Sequence, residues 1–236
     1  MIYNLITSLS RGQSIKDILP GILFTVIVVI FSLSLHETSH AFAAYKLGDH
    51  TARNMGRISL NPAKHLDPMG TVCMMLFGFG WAKPVPVNSR NFKNPRSGMA
   101  LTAIAGPLSN LILSFVSILL WVLLIRFVPI PAAIVPGLSF GEKILFFLAM
   151  LLEYFHILNL YLAVFNLLPI PPLDGSKILF MFLPSKALMF IHNNEHIIRM
   201  ALFFLLFMGA FSGVITLISS LISNGMIFLI TLIPGI

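Results

Sequence analysis

Apolar residues run in long blocks along this 236-residue chain, and polar residues gather between them. A helix needs about 20 largely apolar residues to cross a bilayer. Residues 20–45, 99–127 and 142–168 each meet that requirement, and residues 198–222 form a further long block. A shorter apolar stretch covers 178–191, and the apolar tail 226–236 is too short to span alone. The pattern predicts an all-α polytopic membrane protein with about five to six membrane segments. Between the first two core spans the pattern changes. Residues 69–80 are apolar but short, and Gly78, Gly80 and Trp81 interrupt them. Residues 57–60 and 85–87 alternate with a period of two, as strands do. This region is expected to form a small membrane-associated β-hairpin around a segment that dips into the membrane. Irregular backbone at that depth persists only when packed on protein or facing water.

Composition agrees with the blocks. The chain is 57% hydrophobic and 10% charged, against about 25% charged in soluble domains. No linker, repeat or low-complexity tract divides it. The expected organisation is one membrane-embedded domain over 1–236, with a core at about 21–177, a hairpin and loop region at 51–90, and C-terminal membrane segments at 178–236. Residues 1–20 carry scattered charges and lack the pattern of a cleaved leader. The net charge of +7 is local: eight Lys or Arg fall between Lys46 and Arg96, against Asp49 and Asp67. In a membrane protein such a basic loop marks the cytoplasmic side, so no nucleic-acid partner is expected. Cys73 stands alone, which excludes an internal disulfide and a multi-cysteine metal site.

The first span ends on His36-Glu37-Thr38-Ser39-His40. On a helix the two histidines share a face one turn apart, a spacing that lets both reach one zinc ion. Glu37 beside them is a candidate general base. Composition alone gives roughly 0.003 chance occurrences of such a motif in this chain. Three ionisable groups in five positions near hydrocarbon call for a functional reason. With the basic loop cytoplasmic, the first span runs inward, the second outward and the third inward again. The loop at 169–177 then arrives on the side of the histidines and brings Asp174 as a candidate third ligand. Read by itself, the sequence around Asp174 also suits a proline-rich connector with an Asp-Gly turn.

Four blocks in order resemble the site-2 protease family of intramembrane zinc metalloproteases, in its compact prokaryotic form. They are His36–His40; Gly56-Arg57-Ile58-Ser59-Leu60-Asn61-Pro62 with His65, Asp67 and Pro68; Gly80-Trp81-Ala82-Lys83-Pro84-Val85-Pro86-Val87-Asn88; and Asn166 through Gly175. Ala105-Gly106-Pro107-Leu108-Ser109-Asn110 is similar to a small-residue segment of the family's next core helix. The resemblance implies that His36, His40 and Asp174 bind one Zn2+ per chain and that Glu37 is the catalytic base. It also implies a transmembrane protein as substrate, engaged by the 56–88 region, with Asn110, Gly106 and Asn166 as candidate substrate-binding or supporting residues. A multi-pass protein of a prokaryotic cytoplasmic membrane follows, its active site toward the cytoplasm and embedded in the lipid bilayer. Ser176 stands where many relatives have a second glycine, and no PDZ-like or nucleotide-sensing module is expected. Regulation then falls to another membrane protein, to oligomerisation or to the bilayer.

Two other readings use the same residues. A metal transporter or channel requires a continuous polar path, and intramembrane charges are scarce here. A catalytically inactive binding partner sits poorly with an intact His-Glu-x-x-His. Glu153 and His156, three apart in the third span, are expected to satisfy each other rather than hold a second metal. His65 is expected to make structural hydrogen bonds.

Overall fold

The computed structural model describes residues 15–77, 80–131, 133–135 and 137–233. Four helices are long and apolar enough to cross a membrane, and the protein is an integral membrane protein built mostly of helix. They are α1 Ile15–Lys46, α4 Pro95–Phe127, α5 Phe140–Asn166 and α9 Ser212–Thr231. Between α1 and α4 lie the short α2 Thr51–Asn54 and the ten-residue α3 Pro68–Phe77. After α5 come α6 Asp174–Phe180, α7 Ser185–Asn193 and α8 Glu195–Phe207.

Local sequence sets the ends of the core helices. Asn94 accepts hydrogen bonds from the Arg96 and Ser97 amides, with Pro95 at the first helical position, where its missing N–H costs nothing. Ser139 and Glu142 form a reciprocal capping box at the start of α5. Helix α4 is the centre of the bundle, packed against α5 on one side and α1 on the other. The α1–α4 contact is antiparallel: His40, near the end of α1, reaches Thr102, near the start of α4.

Polar side chains occupy the interior of this bundle. Ser32, Asn110, Ser114 and Asn159 are fully buried. His156 hydrogen-bonds to Ser114 at 2.9 Å and to Ser223 of α9 at 2.9 Å. The expected Glu153–His156 pair is therefore replaced by serine partners from two neighbouring helices, and Glu153 faces outward. In a bilayer such contacts join helices that have no hydrophobic reason to associate.

Two expectations change. No strand occurs among the described residues, and the expected β-hairpin reduces to one antiparallel bridge between Leu66 and Ala82. Pro62, Pro84 and Pro86 cannot donate to a ladder, and residues 83–88, outside any regular element, are tied mainly to the side chains of Arg57, Glu37 and Asp49 instead. Gly78, expected to interrupt the dipping segment, lies outside the described residues. Further on, the apolar run 198–222 is not one segment. It breaks at 208–211, where Gly209 adopts φ +72°, a conformation that suits glycine, and α9 takes in most of the tail. Residues 178–191 divide between α6 and α7. At about 1.5 Å per residue, neither these helices nor α8 spans a core of about 30 Å.

Candidate metal centre

Three side chains from two helices meet at one point. His36 and His40 project from the same face of α1, and Asp174 opens α6. The Asp174 Oδ2 lies 3.1 Å from His36 Nε2 and 3.0 Å from His40 Nε2, and the two Nε2 atoms are 3.0 Å apart. All three residues are buried, and they are the group of potential metal ligands found among the described residues. Their imidazoles stand nearly perpendicular, at 88°.

The donor set fits a zinc ion. His40 Nδ1–H donates to the Thr102 carbonyl at 2.7 Å, which leaves Nε2 with its lone pair turned inward. A lone-pair nitrogen and a carboxylate oxygen facing one point in a buried site call for a cation. Donors about 2.1 Å from a tetrahedral ion sit roughly 3.4 Å from one another, a few tenths of an ångström wider than the spacings here.

Two glycines make the room. A Cβ on Gly106 would overlap the Nε2 atoms of both histidines. A Cβ on Gly175 would overlap the Leu167 and Leu168 carbonyls, so the turn that delivers Asp174 closes only without a side chain there. The second Asp174 oxygen, Oδ1, pairs with Lys177 Nζ at 3.1 Å.

Glu37 is half-buried beside the cluster. Its Oε2 accepts a hydrogen bond from the Val85 amide at 3.1 Å. Thr38 donates to the Ser59 carbonyl at 2.6 Å, and His65 Nε2 lies 2.6 Å from the same oxygen, the structural role expected of it. Fully buried Asp49 holds the far side of the loop. It accepts from the Thr51 amide and hydroxyl, the Asn88 amide and the Asn91 side chain, at 2.6–3.1 Å. Burial pushes its carboxyl up, but these donors outweigh burial and hold it below the usual carboxylate range.

The other expected residues are placed less tellingly. Asn110 is fully buried one turn beyond Gly106, with its Nδ2 unpartnered. Asn166 donates to the Leu162 carbonyl of its own helix at 2.9 Å. Thr102 and Val85 escaped sequence reasoning because they act through backbone atoms. Lys177 could have been found from its i+3 spacing to Asp174.

The chain is similar to known proteins. The sequence profile of Peptidase family M50 matches residues 128–209, which include Asp174. The chain is 48% identical over 160 residues to "Putative zinc metalloprotease YwhC" of Bacillus subtilis, covering 66% of this chain and 67% of that protein. It is 30% identical over 171 residues to "Putative zinc metalloprotease Rip2" of Mycobacterium tuberculosis, covering 70% of this chain and 60% of that protein. A similarly named protein of Methanocaldococcus jannaschii is 32% identical over 155 residues, or 71% of its length. No solved structure matches the chain.

Proposed function

Because this chain belongs to peptidase family M50, the site-2 protease family of zinc metalloproteases, we propose that it cleaves transmembrane segments of other proteins at the His36–His40–Asp174 centre. The observation that carries the reading is the meeting of those three donors, from α1 and α6, next to the Glu37 carboxylate, whose second oxygen makes no hydrogen bond among the described residues. Residues 1–236 are read as one membrane-embedded protease domain.

His36, His40 and Asp174 would hold the ion. Held by these residues, zinc would supply Lewis-acid chemistry, acidifying a water molecule and polarising the scissile carbonyl. Glu37 takes the proton from water on its free oxygen and passes it to the leaving amine. Thr102 keeps His40 in the ligating tautomer, and Lys177 offsets charge on the outer oxygen of Asp174. Gly106 serves by leaving space for the imidazoles. Asn110, buried one turn deeper, supports the helix packing that keeps that space, and no substrate contact is assigned to Asn166. A substrate helix must unwind before cleavage, since helical amides are internally bonded and shielded. The basic loop at 46–96 sets the active site toward the cytoplasm.

The test uses purified wild type and Glu37→Gln. Bound zinc and cleavage of a reference transmembrane substrate are measured on both. Zinc in both, with cleavage lost by at least about a hundredfold in the variant, is the expected result. Cleavage that survives Glu37→Gln overturns the mechanism. Metal flux into vesicles without proteolysis replaces it with transport, and zinc binding without either activity leaves a binding partner.

A further inference from the structure

Among the described residues, Arg57 is a buried cation with no carboxylate partner. It is 6% exposed and takes part in no ion pair among the described residues. Its guanidinium instead donates to two consecutive backbone carbonyls, Lys83 at 2.6 Å and Pro84 at 3.1 Å. Burying an arginine against neutral acceptors is costly, so these two carbonyls must be held for a reason.

The next residue supplies it. Val85 donates its amide to Glu37. Its neighbours Pro84 and Pro86 have no N–H, so within residues 84–86 this amide is the sole backbone donor. The prolines also bias this strap, residues 83–88, toward an extended path. At one end the Lys83 amide donates to the His65 carbonyl at 2.7 Å, and at the other the Asn88 amide donates to Asp49 at 2.8 Å. The strap is thus pinned at 83, 84 and 88, and its middle amide meets the proposed base. A free glutamate has three rotatable bonds and gains rate when held in one orientation.

We propose that Arg57 is a positioning residue for Glu37: it fixes the strap at 83–88 so that the Val85 amide holds one carboxylate oxygen and leaves the other facing the reaction. This rests on the protease reading above. A plain structural role for Arg57 predicts lower stability and nothing specific to turnover.

The test compares Arg57→Met, Arg57→Lys, Val85→Pro and the Arg57→Met/Val85→Pro double variant with wild type. Val85→Pro deletes the amide from a strap that is already extended, and it decides the question if Arg57→Met fails to fold. Expected for each of these two single variants is a roughly tenfold loss of kcat, with KM within about twofold and zinc content unchanged. The double variant falls no further than the worse single, since both act on one contact. Arg57→Lys recovers part of the rate through one carbonyl. Hydrogen exchange at the Val85 amide, read without substrate, quickens in Arg57→Met and in Glu37→Ala. Unchanged kcat, a loss confined to KM, multiplying losses in the double variant, or unaltered Val85 exchange each overturn the proposal. A wild type that neither binds zinc nor cleaves refutes the protease reading instead, and Val85 exchange still decides whether Arg57 fixes the contact.

Discussion

Gly106 carries no functional group, yet it decides whether two imidazoles fit beside each other. Gly106→Ala is expected to lower zinc affinity by about tenfold or more while α4 remains helical, as read by competition with a chromophoric chelator and by circular dichroism. Unchanged affinity would mean that α1 and α4 separate easily at this level. The residues legible in the sequence were those whose spacing or topology implied a shared destination. His36 and His40 announced themselves by i,i+4 placement. Asp174 was reachable because three alternating spans returned its loop to their side. The partners acting through the main chain, Thr102 and Val85, left no side-chain signature to read.

At the scale of elements, the loop between α1 and α4 departs most from its sequence pattern. Period-two alternation at 57–60 and 85–87 suggested paired strands. The backbone there bonds to Arg57, Asp49 and Glu37 rather than to another strand. Alternation records which faces are covered, not what covers them. Asp49→Asn is expected to lower the thermal midpoint by about 2–4 °C at neutral pH. Because the folded carboxyl titrates below its usual value of 3.8, its contribution is complete above that value and fades as pH falls through the folded one. The gap between wild type and variant should therefore close under acid, and a gap that persists there would remove the charge from the explanation. The turn into α6 offers a parallel case. Gly175→Ala should displace Asp174 and strip most of the zinc without unfolding α5, checked by metal content and helicity.

For the whole molecule, the hydropathy blocks foretold α1, α4 and α5 closely. They failed where the backbone breaks inside a uniformly apolar run, at 208–211, because hydropathy has no term for a glycine turn. The order of the first three spans makes a direct prediction about sidedness. In a Cys73→Ser background, Lys93→Cys should react with a membrane-impermeant reagent only from the cytoplasmic face, and Ile134→Cys only from the opposite face. Labelling of both from one side would dismantle the proposed orientation.

The distance along the chain between the histidines and Asp174 also sets a timetable. Asp174 lies 138 residues after His36 and 134 after His40. During synthesis, the histidine pair enters the membrane well before the aspartate exists. A nascent chain cannot assemble the three-ligand centre until α4 and α5 have been made and the loop beyond them has turned back. A partly inserted copy therefore lacks its complete centre.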